Sequence, residues 1–501
     1  MKTNTLDFDA QALREKILDL AMRGKLVPQD PNDEPASVLL EKIKAEKEQL
    51  IKDKKIKKSK PLAPITDDER PFDIPDSWEW VRLGDLFDIT SSKRVMKSEW
   101  KDTGIPFYRA REIVSIKNHR PLKDPIFIDK KTYEGKIKIS GKPNINDILL
   151  TGVGTLGVPY IVDNDKKFYF KDGNIIWLKN LINLNPKFIS YVVQSPYMLK
   201  KINNGRGTTV ATLTIVRSNN LLIPLPPLEE QSRIAAKIAQ LFALLRKVES
   251  STQQYAKLQT LLKSKVLDLA VRGKLVKQDP NDEPAGELLK KIKAEKAELI
   301  KEKKIKKSKP LPPITDDEKP FDIPDSWEWA RLGDLVSPVE YAMADGPFGS
   351  NLKKADYTNQ PEVRIVQLSN IGENGWKDDN VKYTTFDHLK LIRRSEVFPG
   401  NIVIAKMMPA GRAILIPNKD KKYVLSSDAV KFIPTDLLNK QFLLNAINSN
   451  VYRDQVNKKL QGTTRPRTSL KKLKNFVLPI PPIQEQKRIL SKLSMLKQDL
   501  I

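Results

Sequence analysis

A long segment in the middle of the chain carries apolar residues at the spacing of a coiled-coil helix. From Glu229 to Lys274 there is no proline, and an apolar residue recurs at every seventh position. Such a heptad pattern predicts one continuous helix with an apolar seam, and its 46 residues would extend over roughly 70 Å. A turn near Ser250–Ser251 that breaks the helix is the alternative. The seam residues are Ile234, Leu241, Val248, Tyr255, Leu262 and Leu269, with Ile238, Leu245 and Val266 in a second row.

The two ends of the chain repeat this pattern in two pieces. The C-terminal segment matches the beginning of the central helix, and the N-terminal segment matches its end. We therefore expect a closed two-fold repeat in which the terminal helices lie antiparallel to the central one. A tandem duplication without functional symmetry is the competing interpretation. The matching residues are Leu6, Leu13, Ile17 and Leu20 near the N-terminus and Ile489, Leu493, Leu496 and Leu500 near the C-terminus.

An internal repeat frames two unrelated segments. Residues 17–86 and 266–335 align without gaps and are identical at 58 of 70 positions. The identity then stops and returns weakly where IPLPPLEEQSRI (Ile223–Ile234) matches LPIPPIQEQKRI (Leu478–Ile489). Such self-similarity indicates two copies of one structural unit. The predicted domains are an N-terminal helical framework with its linker at 1–74, a first variable domain at 75–222, a central helical spacer with a basic helix and linker at 223–323, a second variable domain at 324–477 and a C-terminal spacer helix at 478–501.

The positive charge of the chain is concentrated in the variable segments. The net charge is +26, from 88 Lys and Arg against 62 Asp and Glu. Residues 87–222 contribute +12 and residues 336–477 contribute +10. The repeated framework is therefore nearly neutral despite its lysine runs Lys52–Lys60 and Lys301–Lys309, which we interpret as solvated helix ends. A surplus of this size indicates a polyanionic partner, and its location indicates that the two variable domains bind DNA.

The composition also excludes several classes of protein. There are no cysteines, and the two histidines, His119 and His388, are too few for a histidine metal site or a repeated Ser-His-Asp triad. The sequence contains neither the GxxxxGK[ST] loop of ATP-binding proteins nor the Asn-Pro-Pro-aromatic motif of adenine methyltransferases. The N-terminus lacks the apolar core of a signal peptide, and no segment is apolar enough to span a membrane. We therefore expect a cytoplasmic protein.

Three segments of the first variable domain carry residues suited to DNA contact. GIPFYRAREI (Gly104–Ile113) alternates apolar and polar residues, which predicts a strand with Arg109 and Arg111 on one face; salt bridges on a surface strand are the alternative. NDILLTGVGTLGVPYIV (Asn146–Val162) contains GxGxxG, but strand-like residues follow, which favours a hairpin over a dinucleotide site. The loop GRGTTVATLT closes the domain. The candidate contacts are Lys93, Arg94, Arg109, Arg111, Thr151, Thr155, Arg206, Thr208 and Thr209.

The second variable domain carries segments of the same kind. PGNIVIAKMMPAGRAILIP (Pro399–Pro417) stands at the place of the hairpin, and QGTTRPRTSL (Gln461–Leu470) stands at the place of the closing loop. GPFGSNLKK (Gly346–Lys354) adds a polar, basic loop, and its Asn351 suits adenine. Amides, hydroxyls and guanidinium groups in such loops suit phosphates or base edges. The candidate contacts are Ser350, Asn351, Lys353, Lys406, Arg412, Thr463, Thr464, Arg465 and Arg467.

The motifs, in this order, resemble those of the specificity subunit of type I restriction-modification systems. The matching segments are ILDLAMRGKLVPQDPNDEPA, PDSWEWVRLGDLF, IPFYRAREI, GPFGSNLKKADY and IPLPPLEEQSRI, and the resemblance covers essentially the whole chain. It implies an α+β fold: two mixed α/β target recognition domains, separated by two long antiparallel coiled-coil helical spacers with an internal pseudo-two-fold repeat. Each domain would recognise one half of a split, asymmetric DNA sequence, and the spacers would set the distance between the halves.

The resemblance also implies partners and cofactors. A subunit of this family has no active site. It docks two methylation subunits, which use S-adenosylmethionine to methylate adenine, and in the full complex two restriction subunits that need ATP and Mg²⁺. No cofactor is expected on this chain itself.

Three other interpretations compete with this one. A DNA-binding scaffold or regulator that works alone would carry the same charge. A basic coiled-coil protein for membrane surfaces or RNA predicts charge spread along amphipathic helices, whereas the excess here lies in the variable domains. An autonomous nuclease or methylase would need the catalytic motifs that the sequence lacks.

Overall fold

The computed structural model describes residues 8–204, 212–305, 307 and 309–499, with the side chains of 497–499 left aside. The chain divides by its packing into unit 1, Met1–Gln253, and unit 2, Gln254–Ile501. The helices of unit 1 are α1 (Ala10–Met22), α2 (Ala36–Lys52), α3 (Leu83–Leu86), α4 (Ala110–Lys117), α5 (Lys130–Ser140), α6 (Pro186–Val193), α7 (Pro196–Asn203), α8 (Ile215–Asn219) and the first part of α9 (Leu228–Val271). Its strands are β1 (Glu79–Arg82), β2 (Asp88–Thr90), β3 (Ile105–Tyr108), β4 (Ile126–Ile128), β5 (Ile148–Thr151), β6 (Pro159–Ile161), β7 (Tyr169–Phe170), β8 (Ile175–Lys179) and β9 (Leu222–Leu225).

Unit 2 contains the last part of α9 and then a series of elements that begins like unit 1. Its further helices are α10 (Ala285–Lys301), α11 (Phe386–Leu391), α12 (Lys440–Asn448), α13 (Asn450–Lys458), α14 (Leu470–Asn475) and α15 (Ile483–Asp499). Its strands are β10 (Glu328–Arg331), β11 (Met343–Asp345), β12 (Tyr357–Thr358), β13 (Val363–Val366), β14 (Ile371–Gly372), β15 (Gly375–Trp376), β16 (Tyr383–Thr384), β17 (Glu396–Val397), β18 (Ile402–Ala405), β19 (Ala413–Leu415), β20 (Tyr423–Leu425), β21 (Ala429–Phe432) and β22 (Val477–Ile480).

The central helix α9 is continuous over 44 residues and passes through Ser250–Ser251 without a break. This confirms the predicted helix and excludes the predicted alternative. Two glutamates lie in its first turn, where negative charge stabilises the positive end of the helix dipole. The helix ends before Gly273, which has a φ of +68° and whose Cβ would lie 2.5 Å from Pro324, so only glycine fits there. The predicted seam is buried at Ile234 and Ile238 but exposed in the middle of the helix, at Val248, Tyr255 and Leu262.

In unit 1 the N-terminal helix lies antiparallel to the first part of α9. Arg14 pairs with Glu249 at 2.5 Å, whereas Gln29, later in the chain, donates to Glu230 at 2.7 Å. Residue numbers rise in one segment as they fall in the other, so the chain from α1 to Gln29 runs antiparallel to the first part of α9, in the direction that the repeat predicts. In unit 2 the end of α9 and the C-terminal helix α15 contribute to one core, through Ala270, Val271, Ile489 and Leu493.

A buried carboxylate joins helix, loop and domain in the same way in both units. Glu230, in the EEQ segment at the start of α9, accepts from the indole of Trp78 at 2.8 Å and from Gln29 at 2.7 Å. In unit 2, Glu485 accepts from Trp327 at 2.9 Å and from Gln278 at 2.8 Å. Burial raises the pKa of Glu230 and Glu485, so these hydrogen bonds satisfy carboxylates that water does not reach.

A buried arginine fixes each proline-rich linker. Arg82 donates to the carbonyl of Ala63 at 2.8 Å and pairs with Glu69 at 2.8 Å. Its counterpart Arg331 donates to the carbonyl of Pro312 at 2.7 Å and pairs with Glu318 at 2.7 Å. The planar guanidinium can satisfy several acceptors at once, which a lysine cannot do. The identical residues of the sequence repeat therefore form identical contacts.

The variable domains also share a fold, although their sequences do not align. Each contains a four-stranded antiparallel sheet, with strand order β2-β8-β5-β6 in unit 1 and β11-β21-β18-β19 in unit 2. A second sheet has three strands in unit 1 and five in unit 2, and each includes one parallel pair, β3 with β7 or β13 with β20. β1 pairs with β9, and β10 with β22, so that the two ends of each variable domain meet in one strand pair.

Candidate nucleic-acid interface

A tight hairpin turn ends the four-stranded sheet of unit 1. β5 and β6 are antiparallel neighbours, which confirms the hairpin predicted for the GxGxxG segment. Thr151 has 0% exposure; its hydroxyl donates to the carbonyl of Thr155 and accepts from the amide of Val158. The prediction that Thr151 contacts DNA is therefore wrong, because its hydroxyl holds the turn together. Thr155 is exposed, and its DNA contact stays a prediction.

Three loops of unit 1 meet at this hairpin. The amide of Gly152 donates to the carbonyl of Asn174 at 2.7 Å, and the carbonyl of Gly152 accepts from the amide of Leu213 at 2.9 Å. Ser91, after β2, accepts from the amide of Gly173 at 3.3 Å. The loop after β2, the turn before β8 and the end of the closing loop thus lie together. These segments are far apart along the chain, and the folding of the sheet brings them together at one of its edges.

The candidate residues of these loops are placed differently. Lys93 and Arg94 are exposed after Ser91, and Arg94 pairs with Asp172 at 3.2 Å. Arg217, which the sequence did not single out, donates to the carbonyl of Thr212 and so holds the exit of the closing loop. The candidates that lie outside the described residues are Arg206, Thr208 and Thr209.

Lys406 occupies the matching junction in unit 2. Its amide donates to the carbonyl of Asp428 and its carbonyl accepts from the amide of Thr468, both at 2.8 Å. These are the contacts that Gly152 makes in unit 1. The ammonium group of Lys406 pairs with Asp345 at 2.7 Å, directly before the GPFGSN loop. The neighbouring Met407 forms a β-bridge with Arg467. The predicted hairpin, basic loop and closing loop of unit 2 therefore converge.

Most candidates in unit 2 lie on exposed loops around Lys406. His388 lies with its Nε2 atom 2.8 Å from the carbonyl of Asn351, which positions the backbone of the GPFGSN loop. Arg412 ends the hairpin turn, with 20% of its side chain exposed and Glu373 at 3.8 Å. DNA contact by Lys406, Arg412 and the exposed candidates stays a prediction. The exposed candidates are Ser350, Asn351, Lys353, Thr463, Thr464, Arg465 and Arg467.

Arg109 and Arg111 differ from their prediction. The strand β3 ends at Tyr108, and helix α4 begins at Ala110, so the predicted strand over Gly104–Ile113 is wrong in its second half. Both guanidinium groups pair with Glu112, at 2.6 and 2.7 Å. Burial raises the pKa of Glu112, but hydrogen bonds from the two arginines lower it further and the net shift is downward. The predicted alternative, salt bridges, is therefore what the structure shows.

The family of the chain follows from comparison with known proteins. Residues 75–259 and 324–501 match the family model of the type I restriction modification DNA specificity domain. The chain is 32% identical to the type I restriction enzyme EcoAI specificity subunit of Escherichia coli, over 98% of this chain and 89% of the relative. The chain belongs to this specificity-subunit family. It is also 30% identical to the EcoEI specificity subunit of Escherichia coli, over 97% of this chain and 88% of that protein.

Solved structures support the fold of this specificity-family chain. It resembles a chain from work on the structural basis of complex assembly and conformational transition of the type I R-M system, with a TM-score of 0.54 and 19% identity. The match covers 86% of this chain and 92% of that one. Within the described ranges, no cluster of three or more His, Asp or Glu residues is placed to hold a metal ion. The described helices also include none that is long and apolar enough to cross a membrane.

Proposed function

We propose that this specificity-family chain recognises a split, asymmetric DNA sequence, with one variable domain on each half. One observation carries the proposal: the same domain fold is built twice on a shared framework, and in each copy basic loops of different sequence converge on the same hairpin. Phosphate contacts from lysine and arginine supply affinity, while side chains that differ between the domains supply the choice of bases. Two copies that differ only in their loops would select two different half-sites.

The repeated framework supports docking of methylation subunits. The framework copies are identical at 58 of 70 positions and their buried glutamates make equivalent contacts. We therefore expect the two copies to present similar surfaces, to which identical partners can bind. Helix α9 also leaves large apolar side chains exposed, which in a protein of this charge favours a protein partner. In this proposal restriction subunits join through the methylation subunits, and S-adenosylmethionine, ATP and Mg²⁺ bind to the partners, in the cytoplasm. The exposed apolar residues are Leu244, Val248, Tyr255, Leu258, Leu261 and Leu262.

Sequencing of methylated adenines tests this proposal. The genome of the host is compared with and without this gene, and we expect one split motif to lose its methylation in the deletion strain. Re-expression of the chain restores the motif in the deletion strain. In a host that lacks the whole system, the chain and its methylation subunit together produce the methylated motif, whereas either protein alone does not. A regulator that works alone predicts changed transcription with an unchanged methylation pattern, and that result would contradict the proposal.

A further inference from the structure

The hairpin turn of unit 2 packs against the helix pair α12–α13. Gly411 approaches the second helix so closely that a Cβ would lie 3.0 Å from Val456. Two residues later, the backbone of Ala413 is held by the side chain of Asn448, which donates to its carbonyl at 2.8 Å and accepts from its amide at 2.9 Å. Both contacts place the intervening residue of the turn against the helices.

That intervening residue is Arg412, and the facing helix carries Arg453 one turn before Val456. Residues three apart on a helix share a face, so Arg453 lies on the side of α13 that meets the turn. The two guanidinium groups are close enough that, after burial, the charge of Arg453 is the next cause that lowers the pKa of Arg412.

These two arginines lack the partners that buried guanidinium groups normally have. The Nε atoms of both are buried without a hydrogen-bond acceptor in the described part of the chain. The ion pair of Arg412 is with Glu373, whose carboxylate lies 3.8 Å away and whose side chain is 66% exposed. The two neighbouring cations repel each other and Arg412 is also partly desolvated, and an anion between them would relieve both effects.

We infer that Arg412 and Arg453 together bind one phosphate of the DNA backbone. The inference rests on the proposed function, because the turn that carries Arg412 also carries the junction residue Lys406. Paired guanidinium groups match the oxygens of a phosphate. A base edge is the less favoured ligand: Arg412 is held back against the helices with little of its side chain exposed, whereas contact with a base requires a side chain extended into a groove.

In unit 1 apolar residues occupy the two positions that the arginines occupy in unit 2. In unit 1 the amide of Thr151 donates to the carbonyl of Val158. The equivalent hydrogen bond in unit 2 runs from the amide of Ala405 to the carbonyl of Arg412. Val158 is therefore the counterpart of Arg412, and the helix pair α6–α7 places Leu199 at the position of Arg453. The double substitution R412V/R453L thus installs a pair of residues that this fold already accommodates.

The test measures how tightly the full-length chain binds a DNA duplex over a range of salt concentrations. The duplex contains the split motif identified by sequencing of methylated adenines. For R412V/R453L we expect the slope of log affinity against log salt to fall by about 0.9, the value for one phosphate. The target motif and the melting temperature should stay at their wild-type values or, for the melting temperature, rise. The control K57A/K58A removes the same charge from exposed framework lysines and should leave the slope unchanged.

Two results would overturn the inference. A slope equal to that of the wild type would show that the pair does not bind a DNA phosphate; if inorganic phosphate then stabilises the wild type more than chloride does at equal ionic strength, the pair is a free-anion site. A changed half-motif would show that the pair contacts a base. If the double variant does not fold, R453L alone is measured in the same way. Wild-type protein that fails to bind the duplex would contradict the proposed function itself.

Discussion

Arg331 and Glu318 show how single residues hold the framework. The Arg331 guanidinium is buried and donates to the carbonyls of Pro312, Pro313 and Asn475 as well as to the carboxylate. Its hydrogen bond, with those from Thr315, lowers the pKa of Glu318 to about 2, against an ordinary value of 4.5. One ion pair thereby ties the proline-rich linker to the end of the variable domain.

The substitution E318Q should destabilise unit 2 in a pH-dependent way. Because the folded-state pKa is depressed, the stabilisation is complete above about pH 4.5 and is lost as the pH falls towards 2. We expect E318Q to cost about 1.5–3 kcal/mol at pH 7, and the difference from the wild type to shrink between pH 4.5 and 3. Urea unfolding at several pH values measures this, with the exposed neighbour D317N as the control. A loss of equal size at every pH would contradict the role of the ion pair.

Candidate residues were the least predictable from the sequence. A threonine beside a glycine-rich turn is a candidate phosphate ligand on sequence grounds, but both hydrogen bonds of the Thr151 hydroxyl are made within the turn itself. Arg109 and Arg111 look like free guanidinium groups until Glu112, next to them in sequence, is found buried between them. Arg453 carries no local signal, because only the packing of the hairpin on α13 brings it to Arg412. Partners, not residue types, decide which charges are available.

Elements were predicted where one local pattern determines them. The heptad spacing of α9 and the glycine-rich hairpin were found because neither depends on distant residues. The alternation at Gly104–Ile113 failed, since the side chain of Glu112 accepts from the amide of Arg109 at 2.9 Å and so caps a helix where alternation favoured a strand. The common strand order of the two variable domains has no sequence signal, because different residues fill the two cores.

The GPFGSN loop offers a test at the level of one element. A Cβ on Gly346 would lie 1.7 Å from the carbonyl oxygen of Ser426, whereas a Cβ on Gly349 meets nothing within 4 Å. G346A should therefore push the loop away from the turn between β20 and β21 and lower methylation of the split motif by tenfold or more, while G349A leaves it intact. Methylation of motif variants by the two proteins measures this. Equal activity of G346A and the wild type would show that the loop does not position DNA.

The whole molecule consists of two complete units, each with its own core and each with one cationic variable domain. The ends of a variable domain are neighbours in a strand pair, as Arg82 and Leu222 are in unit 1. The domain can therefore be replaced without moving the framework around it. The repeat made this two-part organisation predictable, whereas the loops that distinguish the units had to be seen in three dimensions.

Exchange of residues 87–222 for the corresponding segment of another family member should alter one half of the methylated motif. The other half and the gap between the halves should stay the same, because the second variable domain and helix α9 are untouched. Methylome sequencing of the exchanged protein gives the result directly. An exchange of 336–477 serves as the reciprocal control. A change in both halves after either single exchange would show that the domains do not recognise DNA independently.

The near-identity of the two framework copies has a consequence for the gene. A crossover between their coding stretches would delete 249 codons, the offset between the copies, and keep the reading frame. The product would retain α1 and join it to the second variable domain and α15. In this product Gln29 takes the position of Gln278, so Glu485 would still accept a hydrogen bond from a glutamine. Recombination can thus turn this gene into one for a half-length protein, in which α1 supplies the core residues that the end of α9 supplies in unit 2.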